Sequence, residues 1–133
     1  MNTDVQAHGN CEFEWVGNIL IYKLSGSFNE EGVIKLYNER ITLLNKMPFE
    51  KWFRIVTLSD DTIGSIEASK MGSVLEQKSM EEGCLGSIFV ISSRYIKNIR
   101  QHQEKSLDNK STHTDTLESA LATFKQHESF IPN

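Results

Sequence analysis

Hydrophobic and polar positions alternate from the first patterned stretch of the chain. In CEFEWV, Cys11, Phe13 and Trp15 fall on one face and Glu12 and Glu14 on the other, the period of a half-buried strand. Gly17-Asn18 follows, then the apolar run ILIYKL, and the pair predicts a tight hairpin ending at Ser25-Gly26-Ser27. The period then changes. Val33, Tyr37, Ile41 and Leu44 recur at helical spacing, and Ile34 widens the stripe. Ser27 or Asn29 is placed to cap this helix, Glu30 and Glu31 suit its positive end, and Pro48 stops it near Met47.

The run WFRIVTLS is rich in aromatic and β-branched residues and reads as a strand. A polar loop leads from it to Ser65, the N-cap expected for a helix from about Ile66 to Glu82, with Gly83 as its stop. Met71, Val74, Leu75 and the stem of Lys78 form the inward side expected of that helix. LGSIFVIS is nearly continuous in apolar character, the mark of a strand covered on both faces. Arg94 to about Gln103 reads as a short helix with Tyr95, Ile96 and Ile99 inward, and residues 104 to 114 as a long polar loop. Asp115 and Glu118 have capping-box spacing, and Leu117, Leu121 and Phe124 line a last amphipathic helix before the tail ESFIPN.

The order β-β-α-β-α-β-α-α predicts an α/β fold. A hairpin start and βαβαβ-type crossovers give a four-stranded mixed sheet covered by about four helices. With 133 residues and no repeat, low-complexity tract or linker, the chain reads as a single domain, residues 1–133, with 1–10 as a flexible N-terminal tail. Hydrophobic residues at 38% and charged residues at 24% suit a soluble globular domain. The net charge of −4 argues against nucleic acid as the main partner, because phosphate neutralisation needs clustered Lys and Arg. MNTDVQAHGN lacks the basic start and apolar core of a secretory signal, and no apolar run approaches the roughly 20 residues that span a bilayer. Cys11 and Cys84 allow one disulfide, but reduced thiols are the simpler reading, and the expected location is cytoplasmic.

Five stretches carry a family resemblance: GNILIYKLSGSFN, EEGVIKLYNERITLL, WFRIVTLSDDTIGS, GSIFVISS and TLESALATFKQ. Together they resemble the STAS domains, specifically the SpoIIAA-like branch, over roughly residues 11 to 127. The resemblance implies a bacterial regulatory domain that binds a protein and performs no catalysis. In the anti-sigma-factor antagonists of that family, a phosphorylatable Ser lies in an Asp-Ser-Ser-Gly stretch at the start of the second helix. Here the corresponding residues are Gly64-Ser65-Ile66-Glu67-Ala68. The Asp-Ser-Ser-Gly stretch is absent, and Ile66 or Glu67 takes the acceptor position with Ser65 one or two places early.

The loop of Ser59, Asp60, Asp61, Thr62 and Ser65, with Glu67 just beyond, is the first candidate site. It follows the C-terminal end of an interior strand, where open α/β sheets place their sites. A phosphate on Ser65 would meet free N–H groups at a helix start, with Asp60 and Asp61 opposing it. The plain alternative has Ser65 as a cap and the aspartates as solvated turn residues. A second candidate is the basic ridge Arg94, Lys97 and Arg100, facing either an anionic partner or only water. No catalytic triad, nucleophile elbow or phosphate-binding glycine motif occurs. His8, His102, His113 and His127 share no metal-ligand spacing, so neither a metal nor a cofactor is expected. The leading expectation is a non-enzymatic interaction module for a protein partner, a second copy of the chain included. The alternative is a carrier of a small hydrophobic or lipid-like molecule between sheet and helices.

Overall fold

A computed structural model describes residues 6–46, 49–94, 96–99, 101 and 112–132. The strands are β1 (Asn10–Val16), β2 (Ile19–Ser25), β3 (Ser27–Phe28), β4 (Trp52–Leu58), β5 (Ile63–Gly64), β6 (Cys84–Ile91) and β7 (Thr112–Thr114). The helices are α1 (Glu30–Asn45), α2 (Ile66–Glu81), α3 (helical residues 94, 96–99 and 101) and α4 (Leu117–Lys125). Five strands form one sheet in the order β1-β2-β4-β6-β7, and β3 and β5 pair as a small parallel ladder beside it. The hairpin is antiparallel, with Val16 opposite Ile19, and every later pairing in the large sheet is parallel.

The sheet has one strand more than the four expected. Thr112–Thr114 pairs with Ile88–Val90 as β7, at the end of the stretch expected to be loop. Three residues of Thr-His-Thr carry no apolar alternation, so their pairing comes from the edge that β6 offers rather than from a pattern of their own. The two faces are both covered. On one, Ile19, Ile21, Phe53, Ile55, Ile88 and Val90 pack against Ala120 and Phe124 of α4. On the other, Leu20, Tyr22, Trp52, Val56, Phe89 and Ile91 lie under Leu36 and Leu44 of α1 and Ile96 of α3. Between Trp52 and Arg54 the register with β6 slips by one residue, and this bulge turns Cys84 onto the second face, where it is buried. Cys11 and Cys84 are both free thiols.

The helix starts follow the caps. Asn29 Oδ1 accepts from Gly32 N at 2.9 Å, and Ser65 Oγ accepts from Ala68 N at 3.0 Å. The last helix is capped one residue later than its capping-box spacing implied: Thr116 accepts from Ser119 N, while Asp115 pairs with Lys97. Gly83 ends α2 with φ +108°, a conformation closed to most side chains, and a Cβ there would run into the Glu50 carbonyl. The inward face of α2 differs from expectation. Val74 is 59% exposed and Lys78 is exposed, whereas Ala68 and Ser79 are buried and Glu76 points in. Ile34 likewise sits outside the α1 stripe, whose buried members are Gly32 and Arg40. Hydrophobicity alone misplaced these faces because two buried arginines need polar and small neighbours.

Residues 1–5 of the expected N-terminal tail lie outside the described residues. From Gln6 the chain is tied down: His8 N donates to Asn29 Oδ1 at 2.8 Å, and Asn29 Nδ2 donates to the Gln6 carbonyl. At the opposite end of the hairpin, Asn18 is fully buried and joins three segments. Its Nδ2 donates to the carbonyls of Lys51 and Ser129, and its Oδ1 accepts from Ile131 N at 2.8 Å. Replacing Asn18 with Ala removes the partner of three backbone groups at a part-buried junction, and each lost hydrogen bond costs about 1 kcal/mol. The expected result for Asn18→Ala is a loss of about 3 kcal/mol in urea unfolding with unchanged slope.

Candidate functional site

The chain leaving β4 turns sharply at Ser59 and re-enters order at Ser65. Thr62 is buried, and its hydroxyl donates to the Leu24 carbonyl at 3.0 Å while lying 2.9 Å from Ser59 Oγ. Ser59 N also donates to Leu24 O, and Thr62 N returns to Ser59 O. Asp61 accepts from the Ser59 hydroxyl and from Gly26 N. These bonds hold its carboxyl below the usual carboxylate range, with the Ser59 hydroxyl as the larger cause and the Gly26 amide next. Ile63 N to Gly26 O and Ser65 N to Phe28 O complete the β3–β5 ladder. The loop is therefore a latch between the ends of β2 and β4.

Ser59, Asp61 and Thr62 come together in this latch, with their polar atoms turned to one another and to the β2–β3 corner. Asp60 and Glu67 are exposed, and Ser65 spends its hydroxyl on the α2 cap. Ile63 and Ile66 flank Ser65, 37% and 43% exposed. The basic ridge does not assemble as three free charges. Arg94 is exposed, Lys97 Nζ lies 3.0 Å from Asp115, and Arg100 lies outside the described residues. No group of three metal-ligating side chains occurs among the described residues, and no helix among them is long and apolar enough to cross a membrane.

Beneath the latch, between the sheet and α1, α2 and α3, where the alternative reading of the sequence places a small ligand, lies a cavity of about 140 Å³ whose buried arginines the sequence reading did not anticipate. Its walls include Leu36, Val56, Phe89 and Ile96, together with Arg40, Arg54 and Tyr22. Arg54 is 8% exposed and its Nη2 meets Glu76 at 3.2 Å, with the guanidinium over the rings of Tyr22 and Phe89. Arg40 is 1% exposed, meets Glu82 at 3.2 Å and stacks over Tyr37 and Trp52. Burial pushes the Tyr22 phenol up to about 12 although both guanidiniums oppose the shift, so it is a protonated donor at neutral pH. A signal for Arg54 did exist. Trp52, Arg54 and Val56 share one face of a strand whose neighbours are apolar on both sides, so a charge there has nowhere to go but the interior.

No family model and no curated protein matches the sequence. Solved structures do. One is the anti-sigma factor antagonist SpoIIAA in its unphosphorylated form, 16% identical, with a TM-score of 0.56 over 89% of this chain and 100% of that one. Another is an uncharacterised protein of the DUF3478 family with a SpoIIAA-like fold from Shewanella loihica PV-4, 12% identical. It gives a TM-score of 0.57 over 92% of this chain and 98% of its own.

Two measurements probe this region. Removing one partner of a buried ion pair leaves an uncompensated charge, and Glu76→Gln is expected to cost about 3 kcal/mol in urea unfolding. The double change Arg54→Met with Glu76→Leu is expected to recover most of it, because apolar replacements of both partners are close to neutral. Asp61 has a folded pKa below its ordinary 3.8, so its stabilisation is present above that value and is lost as pH falls through the folded pKa. The thermal midpoints of wild type and Asp61→Asn should therefore differ by a constant amount at neutral pH and converge under acid. With coverage of both chains nearly complete, the chain has a SpoIIAA-like fold.

Proposed function

We propose that the chain is a non-enzymatic, cytoplasmic regulatory module that binds a protein partner through the surface of residues 59–67. The observation that supports this most directly is the apolar pair Ile63 and Ile66 displayed on either side of Ser65. They stand on a segment whose polar groups are already satisfied internally. An apolar contact on a rigid base loses little conformational freedom when covered, which favours association. The solved structure of an anti-sigma factor antagonist with this fold carries the same reading, since its name makes its target another protein.

Phosphorylation is a weaker form of the reading, because Ser65 already caps α2 and the family's Asp-Ser-Ser-Gly stretch is replaced by Gly64-Ser65-Ile66-Glu67. The test is affinity capture from native extract with wild type, Ile66→Glu and, as a surface control at the far end of α2, Met80→Glu. Met80 is 56% exposed and should tolerate the charge. Partners held by wild type and Met80→Glu are expected to be lost with Ile66→Glu. Retention of all of them by Ile66→Glu removes this surface from consideration. Light scattering on the same samples shows whether the partner is a second copy.

A further inference from the structure

Buried donors around the cavity are left without acceptors. Among the described residues, Arg54 Nε and Arg40 Nη1 are buried with no hydrogen-bond partner, and the buried Tyr22 hydroxyl, beside the Arg54 guanidinium, has no acceptor for its proton. All three side chains line the same space. Each is a donor: a guanidinium cannot be deprotonated in a protein, and a phenol held in its neutral form has a proton to give. The glutamates that balance the two arginines each take a single Nη of their partner, and Glu82 is 41% exposed and also shared with the Tyr37 hydroxyl. Glu76 and the hydroxyls of Thr62 and Ser79 also line the space, but none of these oxygens meets Arg54 Nε or Arg40 Nη1. An unpaired buried donor is costly, more so on a charged group. Water alone would meet the donors and leave Leu36, Val56, Phe89 and Ile96 wet.

We propose that this cavity binds a small monocarboxylate, its acid group accepting from Arg54, Arg40 and Tyr22 and its apolar part lying against Val56 and Phe89. Size sets the class. A protein cavity of about 150 Å³ takes up benzene, so a space of this volume holds one ring or a chain of about six carbons. A long-chain lipid needs several times that room. Benzoate and hexanoate are therefore the natural probes. Two of the three donors are guanidiniums, and hydrogen bonds to charged partners are roughly twice as strong as neutral ones, which favours a carboxylate. Glu76, paired to Arg54 on the same wall, opposes it, while Glu82 on Arg40 is 41% exposed and screened by water.

The proposal does not rest on the partner surface, although Ile63 borders both. Titration of the full chain with sodium benzoate, followed by thermal midpoint and by amide chemical shifts, tests it. Benzoate is expected to raise the midpoint as a ligand of the native state does, and to shift the amides of Tyr22, Arg54 and Phe89. Toluene, which fills the same volume without an acceptor, is expected to do so less. Tyr22→Phe keeps the ring against Phe13 and removes only the hydroxyl beside Arg54, so it should fold as wild type and bind benzoate about tenfold more weakly. Ile66→Glu should bind benzoate as wild type does. Equal effects of toluene and benzoate, shifts confined to other parts of the chain, unchanged affinity in Tyr22→Phe, or no response to millimolar benzoate or hexanoate would each overturn the proposal.

Discussion

A guanidinium under the centre of α2 governs the arrangement of the second sheet face. Arg54 sits on the middle strand of the large sheet, between Leu20 of β2 and Ser87 of β6, on a face lined mostly by aromatic and aliphatic side chains. Leaving a charge there without a counterion would cost several kcal/mol, so α2 must bring a carboxylate to it. Glu76 does this, and the rotation that points Glu76 inward also turns Val74 out and places Ala68 and Ser79 against the sheet. Small residues on that face cannot fill the volume that longer ones would. The cavity is thus a consequence of housing the arginine, and Arg40 repeats the solution from α1 with Glu82.

This explains what sequence reading could and could not see. The strand runs, the hairpin at Gly17-Asn18, the caps Asn29 and Ser65 and the stop at Gly83 were legible because each depends on neighbours within a few residues. The faces of α1 and α2 were not legible to the same degree. A stripe built from Ile34, Val74 and Lys78 assumes that apolar atoms point inward, and the assumption fails where an ion pair occupies the interior. β7 escaped for a different reason. Thr112–Thr114 has no pattern of its own and is ordered by an edge supplied from a strand more than 20 residues earlier. Asn18 was read as a turn residue, yet its larger role is to accept and donate across contacts to Lys51, Ser129 and Ile131 that no local window contains.

Of the candidate site, the placement was legible and the chemistry only in part. The loop after β4 surfaces beside the start of α2, as the strand-loop-helix pattern requires. The aspartates, however, differ from each other. Asp60 is solvated, while Asp61 is engaged with Ser59 and Gly26 and serves the latch. Sequence adjacency gave them one role; the corner at Gly26, 35 residues away, separates them.

The latch also decides how the two proposed activities relate. Thr62, Gly64 and Ala68 line the cavity, Ser65 and Ile66 are exposed on the same short segment, and Ile63 borders both, so the two sites adjoin. Proximity alone does not couple them. Coupling requires that the shared segment have a second arrangement which one site favours over the other. Leaving the observed arrangement means breaking the bonds of Thr62 to Leu24, Asp61 to Gly26, and Ile63 to Gly26 together, because they share a single corner. A ligand that coupled the two proposed sites would have to supply that cooperative cost through its contacts with the inner wall.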